Sequence, residues 1–285
     1  MIERAMAFTE PLFGPGGPFE VSVEGWERLP PAPALIVGNH SGGTSVPDSF
    51  GLGYAWTQRH GQHRPLMALG HDMIFRIGGP IGRTVARFGT LRAGPEMGQR
   101  ILRDHRRDLL VYPGGDRDSW RAFADRHRVQ FAGRRGFARL ALQTGVPVVP
   151  MAHCGSHQSL VILSDGAALA RLLGIPRAFR AEVFPVHLSL PWGLGVGPWP
   201  HLPVPVRFRF RVGAPVVPPP DVDPSDPRAI AALDEAVRAS LQDALDALAA
   251  DAPSPAEQLA HARESLRTLA RRLGRLGGRA SSATR

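Results

Sequence analysis

The period of hydrophobic and polar positions changes repeatedly along the chain. FEVSVEGWE (19–27) alternates in the strand manner, and ALIVGN (34–39) is an unbroken apolar run of the buried-strand kind. A glycine-rich turn, HSGGTSVPD, follows, and then residues 49–59 fit a helix. RPLMALG (64–70) predicts another buried strand, while 73–88 carries helical spacing interrupted by Gly78, Gly79 and Pro80. A helix over 95–105, the strand DLLVYP, a second glycine turn, a helix over 135–144 and the strand VPVVPM complete the regular part. This alternation predicts an α/β fold, a largely parallel sheet flanked by helices, with functional groups in loops at the carboxyl ends of the strands.

Beyond this region the pattern loosens. Residues 184–206 are apolar but crowded with proline and glycine, which excludes a regular spanning helix and leaves two readings. One is a buried loop. The other is a hydrophobic surface whose Trp192 and Trp199 meet lipid headgroups. RFRFRVG (207–213) alternates strictly and is expected as a strand near a sheet edge. Asp226 and Pro227 predict the start of a helix running to Ala250 that packs through Ile230, Leu233, Val237, Leu241, Leu245 and Leu248. A second helix, 256 to about 276, aligns Leu259, Leu266, Leu269, Leu273 and Leu276 opposite arginines, which fits a helix lying on an anionic membrane, one contacting a partner helix, or one that simply extends from the domain. The organisation expected is an α/β domain over 1–220 and a helical C-terminal extension with a basic tail over 221–285.

Charge adds a bias to this picture. All 34 basic residues are arginine, against 25 acids. Residues 83–139 hold fourteen arginines and six acids, and residues 256–285 hold seven and two. An anionic partner fits such stretches, and so does a compositional bias towards arginine, alanine, glycine and proline. Nucleic acid is not expected as a partner, because no recognisable module occurs and aromatic residues make up only 7%. The single cysteine, Cys154, excludes an internal disulfide and reads as a small buried hydrophobe. The first residues, with Glu3 and Glu10 and no long apolar run, read as neither signal peptide nor anchor.

Three turns carry candidate chemistry: GNHSGG around His40, YPGGDRD over 112–118, and the end of VPVVPM near His153. His40 is followed by two glycines and, after Pro47, by Asp48, which is placed to orient the imidazole as a general base and also to cap the next helix. His153 and His157, four apart, are the one metal-like spacing, and Gly155 between them with no nearby carboxylate argues against a metal.

Taken in order, the His-Asp loop after a strand, Gly-Thr-Leu-Arg at 89–92, the Pro-Gly-Gly turn with Arg117, and Val-Pro-Val-Val-Pro at 146–150 resemble the glycerolipid acyltransferases. This is the glycerol-3-phosphate and lysophosphatidate acyltransferase superfamily. The resemblance runs from about residue 34 to 151. It implies that His40 deprotonates the acceptor hydroxyl, which attacks the thioester of acyl-CoA or acyl-carrier protein directly, with Asp48 holding His40. It further implies that Arg92 and Arg117 surround the acceptor, that Gly114 and Gly115 let the backbone approach it, and that no cofactor or metal is needed.

Two features depart from the family pattern. Ser45, and not an aspartate, stands five residues after His40, with Asp48 eight away; Gly42, Gly43 and Pro47 are expected to curl the longer loop back. The third block reads Pro-Gly-Gly in place of Pro-Glu-Gly, as in branches similar to diacylglycerol acyltransferases. The expected setting is cytoplasmic and peripheral to an anionic membrane. Two competing readings are an acyl-ester hydrolase using Ser41, although no Gly-x-Ser-x-Gly occurs, and a non-catalytic basic membrane-binding protein.

Overall fold

The computed structural model describes residues 2–71, 75, 83, 85–176, 181–190, 192–198 and 201–282, with side chains described for 6–271 of these. Most of the predicted 73–88 helix, Trp199, and the side chains of Leu273 and Leu276 lie outside the described residues.

The chain begins with helix α1 (Ile2–Phe13), which the sequence pattern did not predict, followed by strands β1 (Glu20–Glu24) and β2 (Leu35–Gly38). Helix α2 (Pro47–His60), β3 (Leu66–Gly70) and β4 (Thr90–Arg92) come next. The predicted 95–105 helix divides into α3 (Pro95–Gln99) and a π turn (Arg100–Asp104) before β5 (Asp108–Val111). Then follow α4 (Gly115–Ser119), α5 (Gly136–Thr144) and β6 (Val148–Cys154).

These strands join β10 (Arg207–Val212) in a seven-stranded sheet of order β1-β10-β6-β2-β5-β3-β4. β6, β2, β5, β3 and β4 run parallel; β10 is antiparallel to β6, and β1 parallel to β10. The alternating strand RFRFRV therefore lies one place in from the edge. Its arginines pair with the acids of β1, Arg209 and Arg211 with Glu24 and Arg207 with Glu20.

The central strands are buried on both faces, which is why they read as unbroken apolar runs. Leu35 and Val37 of β2 join one core layer with α5 and α7 (Pro227–Ala250); Ala34 and Ile36 join the other with Leu52 and Trp56 of α2 and Phe13 of α1. In α7 the Asp226 carboxylate accepts from the Arg228 N–H, and all six predicted packing residues are buried. Burial of each such side chain stabilises by about 1.5–3 kcal/mol, so α7 is bound into the main core. Helix α8 (Pro255–Ser282) follows it.

Residues 155–206 form an excursion from the carboxyl end of β6. It contains β7 (Val161–Ser164), α6 (Ala167–Leu172), β8 (Val186–Ser189) and β9 (Gly193–Val196), and the three strands make a separate antiparallel sheet. The 184–206 segment is thus built around a β-hairpin and not a loop. Its prolines and glycines hid this, since β8 and β9 are only four residues each.

Candidate active site

His40 lies two residues beyond β2, with β5 and β6 on either side, so the ends of three adjacent parallel strands converge on it. The loop from His40 to Asp48 turns back through left-handed conformations at Gly42 (φ 93°), Gly43 (φ 63°) and Val46 (φ 39°). A Cβ on Gly42 would come within 2.6 Å of Pro47, so the curl needs glycine there. Val46 has no such freedom, and its strained backbone turns the chain into α2.

This fold-back brings Asp48 Oδ2 to 2.7 Å from His40 Nδ1 despite the longer spacing. The same oxygen accepts the Ser41 N–H at 3.0 Å, and Asp48 is fully buried in the first turn of α2, where the helix dipole favours an anion. Burial alone would raise the Asp48 pKa, but the charge and hydrogen bond of His40, with His153 and the Ser41 N–H, hold it below the ordinary value. An ionised carboxylate only accepts, so Nδ1 of His40 carries the hydrogen and the neutral ring presents a lone pair at Nε2. Among the described residues none hydrogen-bonds to Nε2. The ring stacks on Tyr112 at 4.3 Å, and its side chain keeps 12% exposure. Gly38 makes that stack possible, because a Cβ there would sit 2.7 Å from the Tyr112 ring.

For His40, burial opposes protonation, but the Asp48 charge and hydrogen bond, helped by Asp118, outweigh it and raise the pKa. A base must be unprotonated, so turnover is expected to fall as pH drops through a value above the ordinary 6.5 of histidine. In Asp48→Asn the main contribution holding that pKa up is gone. The acid limb of kcat/KM should therefore move to lower pH while the plateau falls roughly 10²-fold or more, a pH–rate profile of both proteins being the check.

The Pro-Gly-Gly turn meets this loop through a residue whose role the sequence did not reveal. Asp118, fully buried in α4, accepts the His40 backbone N–H at 2.6 Å and pairs with Arg121, itself 2% exposed. Arg121 also donates to the Arg128 carbonyl and to Nε2 of His157, whose pKa burial and Arg121 push well down. Asp118 and Arg121 stand three apart with buried Ser119 and Trp120 between them, and a buried ion pair leaves no signature in such a pattern.

The third turn contributes a polar cluster beneath His40. Asn39 exchanges two hydrogen bonds with the His153 backbone, each 2.9 Å. His153 Nε2 lies 2.8 Å from Ser41 Oγ and 3.5 Å from Asp48 Oδ2; burial lowers its pKa to about 4, so the ring is neutral near pH 7. Ser41 is fully buried and bonded to His153 and Ser156, and not to His40, which leaves its hydroxyl closed to a substrate ester. Among the described residues no cluster of ligand-type side chains suits a metal ion.

The remaining sequence candidates are dispersed. Gly114 is tightly enclosed: a Cβ would lie 2.3 Å from Asp118 Cβ and 2.4 Å from the Gln130 carbonyl, leaving no room for the glutamate of a Pro-Glu-Gly block. Gly114→Ala is expected to cost about 1–3 kcal/mol in urea unfolding through this overpacking. Gly115 adopts φ 55°, beside the Arg134 guanidinium. Arg117 is half-exposed and pairs with Glu182 at 2.5 Å. Arg92 ends β4 on the same sheet edge as His40 but three strands away, about 14 Å by strand spacing. A cleft of about 240 Å³ opens between Arg117, Arg121, Asp125 and residues 163–165 at the end of β7.

Residues 20–154, which carry six of the seven strands of this sheet and its His-Asp pair, match the family model described as Acyltransferase. Over these residues the chain is similar to that family, in agreement with the resemblance drawn from the four blocks. It is 32% identical over 230 residues to an uncharacterized protein of Mycobacterium tuberculosis and 33% identical over 230 residues to one of Mycobacterium leprae. Each alignment covers 80% of this chain, and 61% and 59% of those proteins respectively. Among solved structures it is similar to the 1-acyl-sn-glycerophosphate (LPA) acyltransferase PlsC of Thermotoga maritima, at 17% identity and a TM-score of 0.47, covering 85% of this chain and 79% of that one.

Proposed function

We propose that the protein transfers a fatty acyl group from a thioester, acyl-CoA or acyl-carrier protein, to a hydroxyl of a glycerolipid acceptor at a membrane surface. The observation that carries the reading is the His40–Asp48 pair: Nδ1 is held at 2.7 Å by a buried carboxylate while Nε2 has no hydrogen-bond partner among the described residues. In the proposed step, Nε2 takes the proton of the acceptor hydroxyl as its oxygen bonds to the thioester carbonyl carbon. The C–S bond then breaks, and the departing thiolate recovers the proton from His40. General-base assistance of this kind supplies about 10²- to 10⁴-fold, and positioning of the two substrates supplies much of the rest.

Arg92 and Arg117 are the proposed contacts for the polar part of the acceptor. The Arg117–Glu182 pair is half-exposed and worth only about 0–1 kcal/mol, so an anionic headgroup can replace the glutamate at little cost. The test is purified protein with radiolabelled acyl-CoA or acyl-carrier protein and a panel of lysophosphatidate, glycerol 3-phosphate and diacylglycerol. A labelled ester with one of these acceptors is expected; no labelled ester with any pairing overturns the reading.

A further inference from the structure

The small sheet β7–β9 is amphipathic in the wrong sense for a surface sheet. In β8 the polar His187 and Ser189 are buried at 1% and 8%, while Leu188 and, just beyond the strand, Leu190 are 46% and 49% exposed. Registration carries this across the sheet: Leu188 stands opposite Val161 on β7 and Leu194 on β9, and Leu190 bridges to exposed Leu202. The polar side is satisfied only in part, His187 Nδ1 and Ser189 Oγ having no hydrogen-bond partner among the described residues. His187 donates through Nε2 to the Gly197 carbonyl and lies against Trp120, which directly follows α4. An antiparallel sheet normally turns its polar side to water, so a contiguous outward apolar face calls for an apolar environment.

The position of this face is fixed by the topology. The excursion leaves the main sheet at Cys154 and returns at Arg207, and Cys154 pairs with Arg209, so it stands on the edge that carries His40. Its inner side touches the catalytic loop, since His201 hydrogen-bonds with Ser45 and lies against Trp120. Helix α8 begins on the same edge, where Gln258 accepts the Arg207 N–H and His261 donates to the Pro18 carbonyl. There α8 presents Leu259, Leu266 and Leu269 to solvent beside a row of exposed arginines, Arg263, Arg267 and Arg271.

We infer that the outer face of β7–β9, with the leucine and arginine faces of α8 beside it, rests on an anionic lipid bilayer. This deepens the proposed function by fixing the side from which lipid reaches His40. Two observations select lipid over protein as the occupant. Residues 183–206 contain no Asp, Glu, Lys or Arg, so the hairpin lacks the charged rim that sets register in a protein interface, whereas exposed Trp192 between β8 and β9 suits the headgroup level. Residues 256–285 carry seven arginines against two acids, which attracts anionic headgroups and makes two copies repel if these surfaces meet.

The test reads vesicle binding without turnover, so failure of the transfer reading and failure of this one are separable. Co-sedimentation with phosphatidylcholine–phosphatidylglycerol vesicles is expected to weaken roughly tenfold or more in Leu188→Glu/Leu194→Glu, and also when salt is raised from 0.1 to about 1 M, which shortens the screening length from about 10 to 3 Å. To cover loss of folding in that variant, Leu194→Cys is labelled with an environment-sensitive fluorophore, the native Cys154 being buried. Its emission should rise on vesicles and be quenched by spin-labelled lipid. Unchanged binding by the double variant, bound protein whose label stays quencher-insensitive, absence of vesicle binding altogether, or a dimer that the variant dissociates without affecting vesicle binding each overturns the inference.

Discussion

His40→Ala is expected to lower kcat for acyl transfer by roughly 10²- to 10⁴-fold and to lower the unfolding free energy by about 1–3 kcal/mol, because buried Asp48 loses a hydrogen-bond partner. The side chain is only 12% exposed and stacks on Tyr112, but Asp48 keeps the Ser41 and Ser49 N–H donors when the ring is removed, which limits the loss. KM for the thioester should change little, since the imidazole acts on the acceptor hydroxyl. What remains is the catalysis that positioning alone supplies. Steady-state kinetics beside a urea melt of the same preparation is the check, and a variant with wild-type kcat would remove His40 from the chemistry.

Asp118→Ala should produce the largest loss of stability of any single change at the site. Asp118 and Arg121 are both buried, and removing one partner of such a pair leaves the other charge unpaired in the interior, at a cost of about 3–5 kcal/mol. The Arg128 and His157 contacts of Arg121 are neutral and do not replace the carboxylate. Asp118→Ala/Arg121→Met should recover most of the deficit, because no charge then stays buried. Even so the double variant should transfer poorly, since the His40 N–H has lost its 2.6 Å acceptor. Urea unfolding of the single and double variants decides the stability part, and equal instability of both would contradict it.

The central architecture was legible in the sequence because parallel strands buried on both faces, such as 35–38 and 108–111, leave unbroken apolar runs between glycine turns. The His40–Asp48 pairing was legible as chemistry, and the curl of its loop was expected from Gly42, Gly43 and Pro47; the left-handed turn at Val46, which helps bring a spacing of eight to a 2.7 Å contact, was not. Asp118 escaped notice because a buried ion pair three residues apart looks like a solvated helix face. The hairpin of the excursion was missed for a related reason. Its hairpin is short and its apolar side faces outward, so the alternation that marks a half-buried strand is present in β8 but with the inside and outside exchanged. α1, too, was hidden, by Pro11 inside it and the Gly/Pro-rich lead that follows.

The claim on which the account turns is that His40 activates the hydroxyl of a bound acceptor and not one belonging to the protein. Intact-protein mass measurement after incubation with acyl thioester, with and without acceptor, tests it directly. The account predicts no acyl adduct in either case and ester product only when acceptor is present. An acyl group found on Ser41, or free fatty acid released at the same rate without acceptor, would contradict it.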